Sequence, residues 1–203
     1  MSLLARLSPA AETGRRPADA AEALERFRSR TAPAFFAGLD QPDEVVAELR
    51  RRWPDRERGI LDRAARLRQL RFDLLGREGL WFGDPVDWRH EPVTGKRTPP
   101  AHWSRIDFLD PAVAGEYKVT WELNRQQYLV TLGQAYWLSG DEGYAADVVA
   151  HLVRWMDGNP PKRGINWASS LELAFRSISW LWALHFLKRS PRLTPDVYLR
   201  TLK

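Results

Sequence analysis

The chain has 203 residues, 31 Lys plus Arg against 26 Asp plus Glu (net charge +5), no cysteine and ten tryptophans. At 44% hydrophobic and 28% charged residues it reads as a globular chain of one domain or slightly more, not a disordered one. The missing cysteine excludes a disulfide scaffold, a Cys-ligated metal centre and a thiol nucleophile. The apolar runs fall short of the roughly 18 residues a membrane helix needs, and the basic residues are interleaved with acids, so neither a membrane nor a nucleic-acid partner is expected.

The opening stretch, Met1 to Pro9, is too short an apolar run for a secretory h-region. The expectation is a cytoplasmic chain by default, periplasmic or secreted if a leader has been trimmed. Residues 1–70 read as an N-terminal helical segment. Pro17, Pro42 and Pro54 each precede acidic residues and an apolar pattern, as expected of proline in a first helical turn. The apolar stripes are Ala21, Leu24 and Phe27, then Val45, Val46 and Leu49, then Ile60, Leu61, Ala64, Leu67 and Leu70.

Residues 71–117 change character. Phe72 to Gly76 reads as a short strand, and Gly83, Pro85, Pro92, Gly95, Pro99 and Pro100 then break the chain into turns. Trp81, Phe82, Trp88, Trp103 and Phe108 lie in the same stretch. An irregular segment this long and this aromatic is expected to be ordered and functional.

Residues 118–203 read as antiparallel helical hairpins. The spacing predicts a helix from Thr120 to Ser139, stopped by Gly140, and a second one capped by Asp141 with Tyr144, Val148, Leu152 and Trp155 on one face. A third is predicted from Trp167 to Lys188, burying Leu171, Phe175, Ile178 and Trp182, and a fourth opening at Thr194-Pro195-Asp196.

Polar residues gather at the ends of these helices: Lys118, Glu122, Asn124 and Arg125, then Asn166, Glu172 and Arg176. Each has an ordinary reading. Glu172 with Arg176, and Glu122 with Arg125, match surface pairs worth about 0.2–0.5 kcal/mol. Asn166 matches an N-cap. The tryptophans serve a core as readily as a sugar platform, and His151 and His185 sit on apolar helix faces. His90 and His102 are better functional candidates. The histidines show no metal-ligand spacing, and no dinucleotide fingerprint, P-loop or nucleophile elbow is present, so neither metal nor cofactor is expected.

Taken in order, Trp121-Glu122-Leu123-Asn124-Arg125, Leu132-x-x-Ala135-Tyr136-x-x-Ser139-Gly140-Asp141-Glu142-x-Tyr144-Ala145, Trp155-x-x-x-Asn159-Pro160 and Gly164-x-Asn166-Trp167-x-x-x-x-Glu172-x-x-x-Arg176 closely resemble the N-terminal domain of the heparinase II/III-like polysaccharide lyases. Asp87-Trp88-Arg89-His90-x-Pro92-x-Thr94-Gly95 and Lys118 are similar too, so the resemblance spans about residues 72–188. It implies an all-α fold, an incomplete (α/α) toroid of helical hairpins over residues 71–203 with an aromatic-rich irregular segment. In whole members a β-sandwich follows. It also implies β-elimination of a uronic-acid polysaccharide, in which a base takes the C5 proton and the bond to the 4-oxygen breaks. The developing enolate-like charge needs fixed donors at the carboxylate.

In the family that donor is the asparagine that maps onto Asn166. Lys118, Arg125, Trp88, His90, Trp167 and Arg176 are the candidates to contact or wall the acidic sugar, and Glu122, Asn124 and Glu172 to orient neighbours. The family's tyrosine and a histidine fall beyond Lys203. The resemblance therefore implies a missing toroid remainder and sandwich, and an inactive chain on its own. The five tyrosines present, Tyr117, Tyr128, Tyr136, Tyr144 and Tyr198, read as packing. A glycoside hydrolase drawing on Asp87, Asp107, Glu122 and Glu172, with carboxylates about 5–5.5 or 6.5–9.5 Å apart, and a non-catalytic glycan-binding toroid stay open as alternatives.

Overall fold

The computed structural model describes residues 17–31 and 35–203; the leader reading of Met1 to Pro9 lies outside them. Three helices open the described chain, α1 (Pro17–Ser29), α2 (Pro42–Arg52) and α3 (Pro54–Arg68), and each begins at its proline. α1 buries Leu24 and Ala20 rather than Ala21, which is exposed. α3 packs Ile60, Ala64 and Leu67 inward against the later helices.

Two small antiparallel hairpins follow. β1 (Phe72–Leu74) pairs with β2 (Arg77–Leu80) across Leu75-Gly76, both at positive φ, the turn whose twist matches paired strands. The predicted strand therefore stops two residues early. β3 (His90–Glu91) pairs with β4 (Lys96–Arg97). The fully buried Glu91 organises that turn: its carboxylate accepts from Val93 N at 2.6 Å, Thr94 N at 2.9 Å and Glu116 N at 3.3 Å. Burial alone would raise its pKa, but these donors and the Thr94 hydroxyl hold it below the usual carboxylate range.

The helical part comprises α4 (Pro111–Ala114), α5 (Tyr117–Asn124), α6 (Tyr128–Ser139), α7 (Glu142–Gly158), α8 (Ser170–Phe186) and α9 (Pro195–Thr201). Gly140 at φ 69° ends α6. The Asp141 side chain accepts from Gly143 N at 2.8 Å to start α7, so these two helices form a hairpin across the stop and cap read from sequence. α6 packs on α3, α7 and α8, and α1 packs on α9. The core runs through Leu24, Phe72, Phe82, Leu123, Leu129, Leu132, Leu152 and Leu187. The fold is all-α apart from the two hairpins.

Two expectations need correction. The helix predicted from Thr120 to Ser139 is two helices, because Gln126 takes φ 55° and turns the chain between α5 and α6. The helix predicted from Trp167 begins at Ser170, after a 3-10 turn over Ile165–Trp167. Its inward face is also not the one expected. Glu172, Arg176, Ser179, Ala183 and Phe186 point in, while Leu171 and Ile178 are 56% and 52% exposed. Polar partners waiting on α5 and the 159–167 loop decide this face, outweighing the apolar periodicity.

Candidate functional site

Asn124, at the end of α5, is 1% exposed and its amide is fully used. Nδ2 donates to Thr120 O at 2.8 Å and Trp88 O at 2.9 Å, and Oδ1 accepts from Trp155 Nε1 at 2.7 Å. The indole N–H can only donate, so the orientation of the Asn124 amide is fixed. Asn159, just past α7, donates Nδ2 to Trp155 O at 3.0 Å and turns its Oδ1 to Asn166. Asn166 therefore meets acceptors on both sides. Its Nδ2 lies 2.9 Å from Asn124 Oδ1, 2.8 Å from Asn159 Oδ1 and 3.5 Å from Trp88 O. Three asparagines and two tryptophans thus tie α5, α7, the irregular segment and the 159–167 loop into one buried knot. Asn166 does not cap α8; Ser169 occupies that position.

The structure does not present Asn166 as the free donor that the resemblance leads one to expect. Both amide hydrogens are taken, and the atom left without a partner is Oδ1, an acceptor. Arg176 Nη1, Trp167 Nε1 and the Thr120 hydroxyl are buried donors that also lack a partner among the described residues.

Arg176 is 4% exposed, with its guanidinium 4.1 Å over Trp155 and 5.3 Å from the Trp167 ring centroid. It donates from Nη2 to the Asn166 carbonyl at 3.3 Å. It forms no ion pair with Glu172, against the i,i+4 reading. Burial pushes its pKa down to about 10, with Glu172 opposing that shift, so it remains charged at neutral pH. Glu172, 3% exposed in its side chain, is gripped instead by Arg125, whose Nε and Nη2 each lie 2.8 Å from a carboxylate oxygen. The third nitrogen of Arg125 reaches Glu122 at 2.6 Å, the one i,i+3 pair that forms as read. The bidentate bond to Glu172 chiefly raises the Arg125 pKa.

The other candidates scatter. Trp88 is 5% exposed, packed beside His151, and offers the site its carbonyl rather than a stacking face, which corrects the platform reading. Arg125 is spent on two carboxylates and is not free for a sugar. Lys118 is exposed on α5 and apart from the knot, and His90 sits half-buried in β3. Trp167 is half-buried against Trp155. Among the described residues no group of three His, Asp or Glu is placed to hold a metal ion, and no helix is long and apolar enough to cross a membrane.

Sequence reasoning undervalued Asn159, Gln126 and His151. Gln126 is fully buried and takes the Trp180 indole N–H at 2.6 Å on Oε1. It also donates to the Tyr128 hydroxyl at 3.4 Å, which lies 3.1 Å from His151 Nδ1. Burial raises the Tyr128 pKa strongly and lowers that of His151 to about 4, so both groups are neutral at pH 7. For Asn159, the Asn-Pro-Pro string before a glycine was the available signal.

A helical domain with a buried asparagine–tryptophan knot that carries a charged arginine is the class these features define. Its family is shown by comparison: the chain belongs to the heparinase II/III N-terminus family, whose model matches residues 4–203. It is also similar to a heparin-sulfate lyase of Bacteroides stercoris, 27% identical over 79 residues, which are 39% of this chain and 9% of that protein. No solved structure matches the chain.

Proposed function

We propose that the chain is the N-terminal part of a polysaccharide lyase acting by β-elimination on a uronic-acid glycan. The observation that carries the reading is the Asn166 knot, standing on the motif strings of a heparinase II/III N-terminal domain beside a buried Arg176 that has no bonded carboxylate. On this reading the helical hairpins are the first part of an (α/α) toroid, completed in the whole protein together with a β-sandwich. The tyrosine and histidine that move protons belong to that remainder, and the chain alone is inactive.

Asn166 takes part by exchange. Its two hydrogens serve three acceptors, so one of them can pass from Asn159 Oδ1 to the sugar carboxylate while Asn124 keeps the other. A neutral hydrogen bond is traded for a charge-assisted one, which is shorter and roughly twice as strong. Arg176, bonded to the Asn166 carbonyl, adds a positive charge beside the new anion. The hydrolase alternative has less support, since Glu122 and Glu172 share one guanidinium and Asp87 is paired with Arg97.

The test incubates the whole protein with heparan sulfate, hyaluronan, chondroitin sulfate and alginate, and follows the ultraviolet absorbance of the unsaturated uronate. A rise abolished by Asn166→Ala supports the reading. Reducing ends without the chromophore would establish hydrolysis instead, and neither product would leave a non-catalytic glycan binder.

A further inference from the structure

A recess of about 300 Å³, lined by none of the knot residues, opens between α3, α6, α7 and the start of the irregular segment. Its floor is His151, 8% exposed, whose Nδ1 faces Tyr128 and whose Nε2 has no hydrogen-bond partner among the described residues. Its lip is Trp81, 50% exposed and in contact with no other aromatic ring among the described residues. Its wall carries Arg154 and Asp84, both exposed and neither in an ion pair among the described residues. The remaining charges are already matched, since Arg68 is shared by Asp141 and Asp147.

We propose that this recess is a sugar-binding subsite that takes one uronic-acid residue of an acidic glycan, stacked on Trp81 with its carboxylate on Arg154. The chemistry favours that class. A flat, half-exposed indole next to a concave polar wall suits the apolar face of a pyranose ring. One uncommitted guanidinium matches one carboxylate. Asp84 and the free His151 nitrogen bond sugar hydroxyls, and a single free guanidinium beside the unpaired Asp84 carboxylate matches a monoanion better than a compact dianion such as a phosphate. The volume fits a small ligand, at the lower end of typical sites. The proposal rests on the glycan reading above, but its test uses binding to this chain and needs no catalysis.

Isothermal titration calorimetry of the 203-residue chain with tetrasaccharides of hyaluronan, chondroitin sulfate, heparan sulfate and alginate tests it, with cellotetraose and AMP as controls. At least one uronate tetrasaccharide is expected to bind in preference to both controls, and Trp81→Ala and Arg154→Ala are each expected to weaken it tenfold or more. Both side chains are exposed, so melting curves should be unchanged. Trp53→Ala removes an equally exposed tryptophan on the α2–α3 turn and is expected to leave binding intact. The proposal is overturned if no uronate probe binds or if the controls bind as well. It is also overturned if Trp81→Ala and Arg154→Ala bind like the parent, or if Trp53→Ala is as damaging as Trp81→Ala. Cleavage by the whole protein alongside any of these results would leave the lyase reading standing and this subsite refuted.

Discussion

Acidification from pH 7 to 5 should destabilise this protein through His151. The ring is buried between Phe72, Trp88 and Tyr128, and accepts at Nδ1 from a hydroxyl that Gln126 in turn orients. The facing charged groups are Arg154, which disfavours a second positive charge, and the paired Arg68 and Asp147 with Asp84 across the recess. Burial first, then Arg154, lowers the folded-state pKa to about 4 from 6.5. The unfolded chain therefore binds the extra proton between these values, and stability falls as pH drops through that window. From pH 7 to 5 the linkage amounts to about 2 kcal/mol, or roughly 4–8 °C in Tm for a chain of this size. The assay is urea and thermal unfolding by circular dichroism at pH 7, 6 and 5, for the parent and for His151→Gln. Carboxylates such as Glu91 and Asp87, held below their usual range, lose their contribution at lower pH and equally in both proteins. The difference between the two profiles isolates the histidine. Parallel profiles, or an imidazole titrating near 6.5 by NMR, would refute the reasoning.

Asn124→Ala leaves the Trp155 indole N–H unpaired in the interior and the Trp88 carbonyl with only its 3.5 Å contact from Asn166, and should cost about 2–3 kcal/mol in urea unfolding; a loss under 1 kcal/mol would show that the knot is dispensable. Glu172→Gln strips the bidentate partner from Arg125 and the nearest negative charge from Arg176, for a loss of about 2–4 kcal/mol. Glu122→Gln, on the more exposed side of the same guanidinium, should cost about 1 kcal/mol or less, so equal losses in chemical denaturation would contradict the assignment. Gly133→Ala in α6 places a methyl 2.7 Å from the Phe186 Cβ and ring; overpacking should outweigh the helix propensity gained and lower stability by about 1–2 kcal/mol, whereas a rise in Tm would mean that α8 moves away freely.

Much of the helical plan was legible because its signals are local. Prolines at first turns, Gly140 as a left-handed stop, Asp141 as a cap and Thr194-Pro195 opening α9 all act within a few residues. What escaped was set by contacts distant in sequence. The α5–α6 break depends on Gln126, whose strained backbone is held by the Trp180 indole 54 positions later, and nothing in its own neighbourhood marks a turn. The face of α8 was misread for the same reason: Glu172 and Arg176 look like a solvated pair until Arg125 and Trp155 are seen to claim them separately. The strings around Asn124, Asn159 and Asn166 were all visible, but only the fold joins their amides into one network.

That network also explains why a charged arginine can be tolerated beneath it. A buried guanidinium without a bonded carboxylate costs several kcal/mol unless its surroundings supply negative potential. Here two indole faces, the Asn166 carbonyl and the carboxylate of Glu172 one turn away supply part of it. One nitrogen, Nη1, is still unmatched, and so are Trp167 Nε1 and Asn166 Oδ1. The Thr120 hydroxyl is unmatched too. Arg125 and Arg176 are balanced in charge by Glu122 and Glu172, but both carboxylates are bonded to Arg125, so no anion reaches Nη1. On the proposed reading an incoming carboxylate corrects it, which is why the amide exchange at Asn166 is favoured even though both of its hydrogens are engaged beforehand. Arg176→Met would remove the charge and keep the stem packed on the tryptophans. It should leave the fold within about 1–2 kcal/mol of the parent, since buried charges replaced by apolar groups of similar volume are often neutral or stabilising. In the whole protein it should raise KM for the uronate glycan more than it lowers stability. An unchanged KM in a folded Arg176→Met protein would mean that the charge serves packing alone.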